Sequence, residues 1–486
     1  MARLATSSAC PAQAVWTPKI STAETETPTA GRSALQDTAG TGSAAGSLVV
    51  VAEGTGRAYG ARVSGTTYHL RPASGWLNDP NGMVRHGDRW HVFFQHNPAG
   101  PFHDAIAWGH ASSADLAGWD LHPVAFGPTP GGPDALGCWS GCWLPGLERP
   151  AVAYSGIATT AFASTVCVRT GSEDLLGWSA PTVVAETPPG VRQMRDPCVV
   201  EHGGLRYAVL GAELDDGEPA VLLFGLADPW RWDYLGVWLT PASAPVLQQA
   251  RPADVWECPQ LVPVGERWVL VLSLHDRGVL GPVVAAVGDL VDEEGLPRFV
   301  PERLDLLDAG SSFYAPQAVL DGAADPWVMG WVRQEGRAPG VHDAPTSDDL
   351  DELHARDHAG CLTLPRRLVL RDGRARLALD PAVRRLVVGD GDALAAGRHA
   401  LTEPGRALVD GAARLEHPAL EPVELPSGTE VWVDDDVVEV YPGDGSTTST
   451  WRAAQPWTLL VDEGGATWSP LSPAAPPTAP RAPRPS

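Results

Sequence analysis

The sequence predicts an all-β protein, a five-bladed β-propeller followed by a smaller β-domain, on three observations. Runs such as WHVFFQ, WVLVLSL and VVEVY cluster or alternate β-branched and aromatic residues between Gly, Pro and Asp, as short strands joined by tight turns do. Long amphipathic helical patterns are nearly absent. Five segments repeat one pattern at an even interval: a short polar motif, a strand, a tight turn, then an apolar strand.

Taken in chain order, residues 1–45 are rich in Ala, Thr, Ser and Gly without periodicity and read as a disordered leader. The repeats follow: DPNGMVRHGDRWHVFF from Asp79, SGCWLPGLERPAVAYSG from Ser140, DPCVVEHGGLRYAVLG from Asp196, ECPQLVPVGERWVLVLS from Glu257 and YAPQAVLDGAADPWVMGW from Tyr314. Their second strands align on Trp90, Ala151, Tyr207, Trp268 and Trp327, at intervals of 61, 56, 61 and 59 residues. That period fits one four-stranded sheet per repeat, and radial repetition of such sheets is a propeller, assigned to residues 65–368. A single β-sandwich also has regular hairpins, but spacing this even favours the propeller. After CLTLPRRLVL (Cys361–Leu370) the repeat stops. Residues 370–465 still alternate and read as the smaller β-domain, with the acidic run Asp434–Asp436 as a solvated turn; the further ligands of a calcium site are not evident. Seven of the residues from Pro470 to Ser486 are proline, which makes 470–486 an extended, unpacked tail.

Composition narrows the function. The chain has 486 residues, 44% hydrophobic and 19% charged, ample for more than one packed domain. A formal net charge of −24 argues against nucleic acid or an anionic membrane as partner; a neutral sugar is compatible. The 19 Trp offer faces for stacking on sugar rings, although any one of them also serves as core. Seven scattered cysteines do not form a disulfide framework. Cys138 and Cys142 lack a second ligand pair, so zinc is rejected. GTGRAYG (Gly54–Gly60) imitates a dinucleotide loop, but no helix follows. No cofactor or metal is expected. The N-terminus lacks the apolar core of a secretory signal, and a cytoplasmic location is expected.

Counting back eleven positions from the aligned second-strand residues lands on Asp79, Ser140, Asp196 and Glu257. In the fifth repeat it lands on Pro316, beside Tyr314. Equivalent positions on different blades lie at equivalent heights around the axis, so three carboxylates converge on one central pocket. Paired carboxylates flanking a scissile bond are the machinery of glycoside hydrolysis: one ionised to attack, one protonated for the leaving oxygen. Mutual repulsion would raise the acid's pKa, while Arg195 would keep the adjacent Asp196 ionised and suited to holding sugar hydroxyls. These residues alone leave the roles of Asp79 and Glu257 interchangeable. NDPNG by itself is also a good turn sequence; the shared offset is what lifts it above that reading.

Eight motifs in order carry a family resemblance: WLNDPNG (Trp76–Gly82), FQHNP, WGHASSADLAGW, WSG, RDP (Arg195–Pro197), WECPQL (Trp256–Leu261), FYAPQ and LTLPR. Together they resemble glycoside hydrolase family 32, the group of invertases, sucrose-6-phosphate hydrolases, inulinases and levanases. The resemblance is strong over residues 65–370 and weak beyond. It implies a five-bladed propeller followed by a β-sandwich, and a retaining mechanism on terminal β-fructosides. Asp79 matches the nucleophile, Glu257 the acid/base and Asp196 the residue that binds fructose hydroxyls. Trp76, Asn78, Gln95, Trp108, Ser140 and Arg195 match positions lining the fructose subsite. The chain departs from the family pattern at FHDAIAWGHA, at LPRR and at WSGC, which would put Cys142 beside the pocket. Two other readings share these residues: a fructosyltransferase using the same site, and a catalytically silent sugar-binding propeller.

Overall fold

The computed structural model describes residues 68–159, 164–334, 351, 355, 357–453 and 456–472. The proposed leader at 1–45 lies outside them, as do residues 473–486 of the proposed tail. The start of that tail is not wholly unpacked, contrary to expectation. The last strand runs to Pro470, and Leu471 is buried with its carbonyl accepting a hydrogen bond from the Tyr68 hydroxyl at 2.9 Å.

Five antiparallel sheets form the propeller. Blade one uses Gly75–His86, Arg89–Asn97, Ala107–Ser113 and Asp120–Leu121; blade two Gly137–Trp143, Ala151–Ile157, Ser164–Thr170 and Thr182–Glu186. Blade three uses Val191–His202, Leu205–Leu214, Pro219–Asp228 and Arg231–Leu239; blade four Val255–Val264, Arg267–Asp276, Val279–Glu293 and Leu296–Leu306. In each, the first strand is innermost, and the five inner strands touch one another in a closed cycle. Trp90, Ala151, Tyr207, Trp268 and Trp327 all fall on second strands. The chain closes the ring with a short parallel pairing of Gly75–Trp76 against His358–Ala359.

Blade five extends beyond the expected boundary. Its inner pair is Phe313–Val319 and Trp327–Val332, and its outer pair is Arg366–Arg371 and Arg374–Leu379. Residues 370–379 are therefore propeller. The repeat only seemed to stop because a long interval separates the two halves of this blade.

Side-chain amides stitch the inner strands together. Gln260 Oε1 of blade four accepts from Ala318 N (3.3 Å) of blade five, and Gln317 Oε1 of blade five accepts from Met83 N (3.2 Å) of blade one. Apolar layers between blades do the rest, burying Trp256, Trp327, Phe93 and Phe94 almost completely. Gly211 marks one close approach: a Cβ there would lie 2.1 Å from the Trp256 carbonyl oxygen, so only glycine lets blade three sit against blade four beside Glu257.

The C-terminal domain is a small β-sandwich built on two long strands, Gly405–Glu416 and Trp457–Pro470, paired along nearly their whole length. Their register shifts at Ala412/Ala413, beside Gly411 and Gly464, both at positive φ. The early half of Gly405–Glu416 carries Glu430–Asp434, and its late half carries Val423–Leu425. One strand pair thus serves two layers, with Val409, Leu415, Val431, Val438, Leu459 and Val461 buried between them.

The expected solvated turn at Asp434–Asp436 is half wrong. Asp434 is 1% exposed and accepts from His69 Nδ1 at 2.7 Å, while His69 Nε2 lies 3.0 Å from Glu439. Glu439 in turn pairs with Arg366, which also binds Asp308 at 2.9 Å. A buried ion network therefore joins propeller and sandwich. Among the described residues, no helix is long and apolar enough to cross a membrane, and all six cysteines are free and buried.

Candidate active site

Each inner strand breaks register at an equivalent place in its blade, and the inner strands of blades one and three do so a second time. The equivalent breaks fall between Leu77 and Pro80, Cys138 and Gly141, Arg195 and Cys198, Glu257 and Gln260, and Tyr314 and Gln317. At each, two inner residues face one on the neighbouring strand, a β-bulge that re-aims side chains. The bulged pairs are Asn78–Asp79, Trp139–Ser140, Asp196–Pro197, Cys258–Pro259 and Ala315–Pro316. Asp196, Cys258 and Ala315 take left-handed φ values of 61°, 46° and 46°, a conformation costly for non-glycine residues and concentrated at functional sites.

The bulges correct the equal-offset argument. Asp79 is second in its bulge, Asp196 is first, and Glu257 directly precedes its own. The acids converge because five bulges open on one space, not because they share one position.

Asp79 is 9% exposed and well supplied with donors. Its Oδ1 accepts from Asn78 Nδ2 (3.0 Å); its Oδ2 accepts from Gln95 Nε2 (2.8 Å) and Ser140 Oγ (2.6 Å), with the Cys258 thiol at 3.6 Å. The Trp76 indole fixes Asn78 through Nε1–Oδ1 at 2.7 Å. Asp196 Oδ2 accepts from Cys258 N (3.0 Å), and Asp196 N donates to Ser155 Oγ (2.8 Å). Glu257 Oε1 faces Arg195 Nε and Nη2, both at 2.9 Å, and Oε2 accepts from the Tyr314 hydroxyl at 2.6 Å. Arg195 Nη1 is anchored on Gln193 Oε1 at 2.7 Å. At the mouth, exposed His103 meets the ring edges of Trp76 and Trp139, with centroids 6.3 and 5.6 Å away.

The structure therefore brings Trp76, Asn78, Asp79, Gln95, Ser140, Arg195, Asp196 and Glu257 together. Trp108 does not join them. Its ring is 0% exposed, stacked on Phe126 at 5.0 Å in the layer between blades one and two, and its Nε1 donates to the Trp139 carbonyl. It supports the bulge from behind. Cys142 likewise points away, into the layer between blades two and three; Cys258 is the thiol at the pocket.

The electrostatics also differ from expectation. Burial pushes Asp79 up to about 6, opposed by the Ser140 hydrogen bond and assisted by the charge on Glu257. Burial pushes Asp196 up to about 7; the Arg195 charge opposes this, while Glu257 and Asp79 add repulsion. Glu257 moves the other way: burial would raise it, but Arg195, the nearby His275 and the Tyr314 hydroxyl together hold it below the usual value. The guanidinium expected to serve Asp196 pairs instead with Glu257. Three carboxylates around one cation are coupled in their titration, so proton uptake belongs to the group and not to one residue.

Sequence reasoning missed Tyr314, Cys258, Gln193 and His275. The first two were within reach. Asp196, Cys258 and Ala315 each precede a proline, and aligning those X-Pro pairs puts Tyr314 level with Glu257 and Arg195. Among the described residues, no group of three His, Cys, Asp or Glu is arranged to hold a metal ion.

Comparison with known proteins agrees with this architecture. The sucrose-6-phosphate hydrolase of Bacillus subtilis is 31% identical over 311 residues, covering 62% of each chain. The insoluble β-fructofuranosidase isoenzyme 7 of Oryza sativa is 36% identical over 350 residues, covering 64% of this chain and 54% of that one. The chain spans about three fifths of the length of the curated relatives it matches. Among solved structures, the sucrose-6-phosphate hydrolase from Lactobacillus gasseri superposes with a TM-score of 0.68 at 21% identity, covering 84% of this chain and 93% of that one. A β-fructofuranosidase mutant from Bombyx mori in complex with sucrose gives 0.67 at 20% identity, covering 83% and 92%. Both likenesses show the fold. Residues 69–381 match the model of the glycosyl hydrolases family 32 N-terminal domain, and the chain belongs to that family.

Proposed function

We propose that the protein is a retaining glycoside hydrolase that cleaves terminal β-fructosides, with Asp79 as nucleophile, Glu257 as acid/base and Asp196 as the hydroxyl-binding carboxylate. One observation carries the reading: the carboxylates of Asp79, Asp196 and Glu257, brought in by three different blades, line one pocket. Asp79 is held by neutral donors, while Glu257 is held by a cation and a phenol.

In the first step, Asp79 donates an electron pair to the anomeric carbon as the glycosidic bond breaks. The proton on Glu257 goes to the leaving oxygen. In the second step, Glu257 takes a proton from water as the water oxygen attacks the same carbon and expels Asp79. Asp196, anchored by the Cys258 amide, accepts hydrogen bonds from ring hydroxyls. Trp76, Asn78, Gln95 and Ser140 orient the nucleophile.

Relatives named as sucrose-6-phosphate hydrolases and as a β-fructofuranosidase make sucrose or its 6-phosphate the first substrates to try. The six buried free thiols among the described residues support a reducing, cytoplasmic setting. Purified protein is assayed for free fructose from sucrose, sucrose 6-phosphate, inulin and levan. Release from at least one is expected, with little transfer to sugar acceptors. Failure on all four contradicts the reading; predominant growth of longer oligosaccharides would make the protein a fructosyltransferase.

A further inference from the structure

The two oxygens of Glu257 are not equivalent. Oε1 faces two Arg195 nitrogens, each at 2.9 Å. A guanidinium can only donate, so a proton cannot settle on Oε1 without displacing one of these contacts. Oε2 accepts one hydrogen bond, from the Tyr314 hydroxyl at 2.6 Å, and keeps a lone pair.

Tyr314 is itself firmly placed. It is 2% exposed, on the inner strand of blade five just before the bulged Ala315. Behind its ring sits the Arg333 guanidinium, 5.7 Å from the centroid and 6% exposed. The hydrogen bonds of Arg333 run to the main-chain carbonyls of Leu280 (2.8 Å) and Ser311. A cation over the aromatic face draws on its electron density and strengthens the phenol as a donor.

Resting on the hydrolase reading above, we infer that Oε2 is the proton-transfer oxygen of Glu257 and that Tyr314 is a positioning residue that sets how readily this oxygen gives up its proton. The O–H donor stabilises the anion left once Oε2 has protonated the leaving group, and so keeps Glu257 a strong acid. The same bond must slacken when Oε2 takes its proton back from water. The other charged or titratable groups facing Glu257 are Arg195 and Asp196 from blade three, Asp79 from blade one, Cys258 and His275 from blade four, and His103 at the mouth. Tyr314 is the one that bonds Oε2.

The test compares Tyr314→Phe with wild type on sucrose and on an aryl β-fructofuranoside, across pH. Loss of the donor makes Glu257 a weaker acid. The alkaline limb of kcat/KM should move up by about one pH unit, and kcat on sucrose should fall roughly tenfold or more. The aryl substrate, whose leaving group needs little protonation, should fall far less. Arg333→Lys, which keeps a cation behind the ring, should lie between. An equal fall on both substrates with unmoved pH limbs would overturn the inference and leave Tyr314 a structural residue. Glu257→Gln separates the two claims. If it keeps full activity on sucrose, the acid/base assignment itself fails; if it is inactive on sucrose while Tyr314→Phe matches wild type, only the Tyr314 inference fails.

Discussion

At the residue scale, Asp79 carries a conflict between chemistry and stability. A nucleophile must be ionised, yet burial lifts its pKa from 3.8 in the unfolded chain to about 6 in the fold. As pH rises from 3.8 through about 6, the unfolded chain ionises first, so folding loses stability across that window and does not recover it above. The shift corresponds to on the order of 3 kcal/mol. Asp79→Asn should therefore abolish turnover while raising the melting temperature at pH 8, and the stability gain should vanish at pH 4. Thermal denaturation at the two pH values checks this; a variant less stable than wild type at pH 8 contradicts it. Glu257 shows what a single-sequence reading could not reach. The sequence places Arg195 next to Asp196, but adjacency along a strand puts neighbours on opposite faces, and the guanidinium reaches across to the next blade instead.

At the scale of the element, the inner-strand bulge organises the site. The acids were legible because the repeats line up to within a residue or two. Their positions within the bulge were not, because a count of fixed period cannot register two residues standing opposite one. Trp108 failed for a related reason: it follows a motif that lines the pocket, yet its ring faces the apolar layer between blades. The packing that holds the bulges is equally specific. Gly211 lies where blade three meets the blade-four strand carrying Glu257, with 2.1 Å between a Cβ and the Trp256 carbonyl oxygen. Gly211→Ala should displace that strand, cost about 1–3 kcal/mol, and lower kcat more than it raises KM, because Glu257 is moved relative to a substrate held mainly by other blades. Denaturant unfolding and steady-state kinetics on one preparation check this. Wild-type kcat together with unchanged stability would mean the strands can part without disturbing the site.

At the scale of the whole molecule, closure of the ring is what makes two distant sequence segments act on one bond. Asp79 and Glu257 are separated by most of the propeller in sequence and meet only because five inner strands form a cycle. The repeat interval made that cycle legible. The domain junction was less so: blade five is interrupted, and its outer strands read as the start of something else. Asp434 looked solvated because its partner His69 stands 365 residues away, a separation no local pattern encodes. The central claim is that Asp79 forms a bond to the sugar while Glu257 manages the proton. Its most direct test is to incubate Glu257→Gln with an activated aryl β-fructofuranoside, whose departure needs no acid, then quench in acid and map peptides by mass spectrometry. One fructosyl group attached to the peptide containing Asp79, and absent from the Asp79→Asn, Glu257→Gln double variant, is the predicted result. An unmodified Asp79 peptide despite release of the aryl alcohol at wild-type rate, or label on Asp196 instead, would contradict the account.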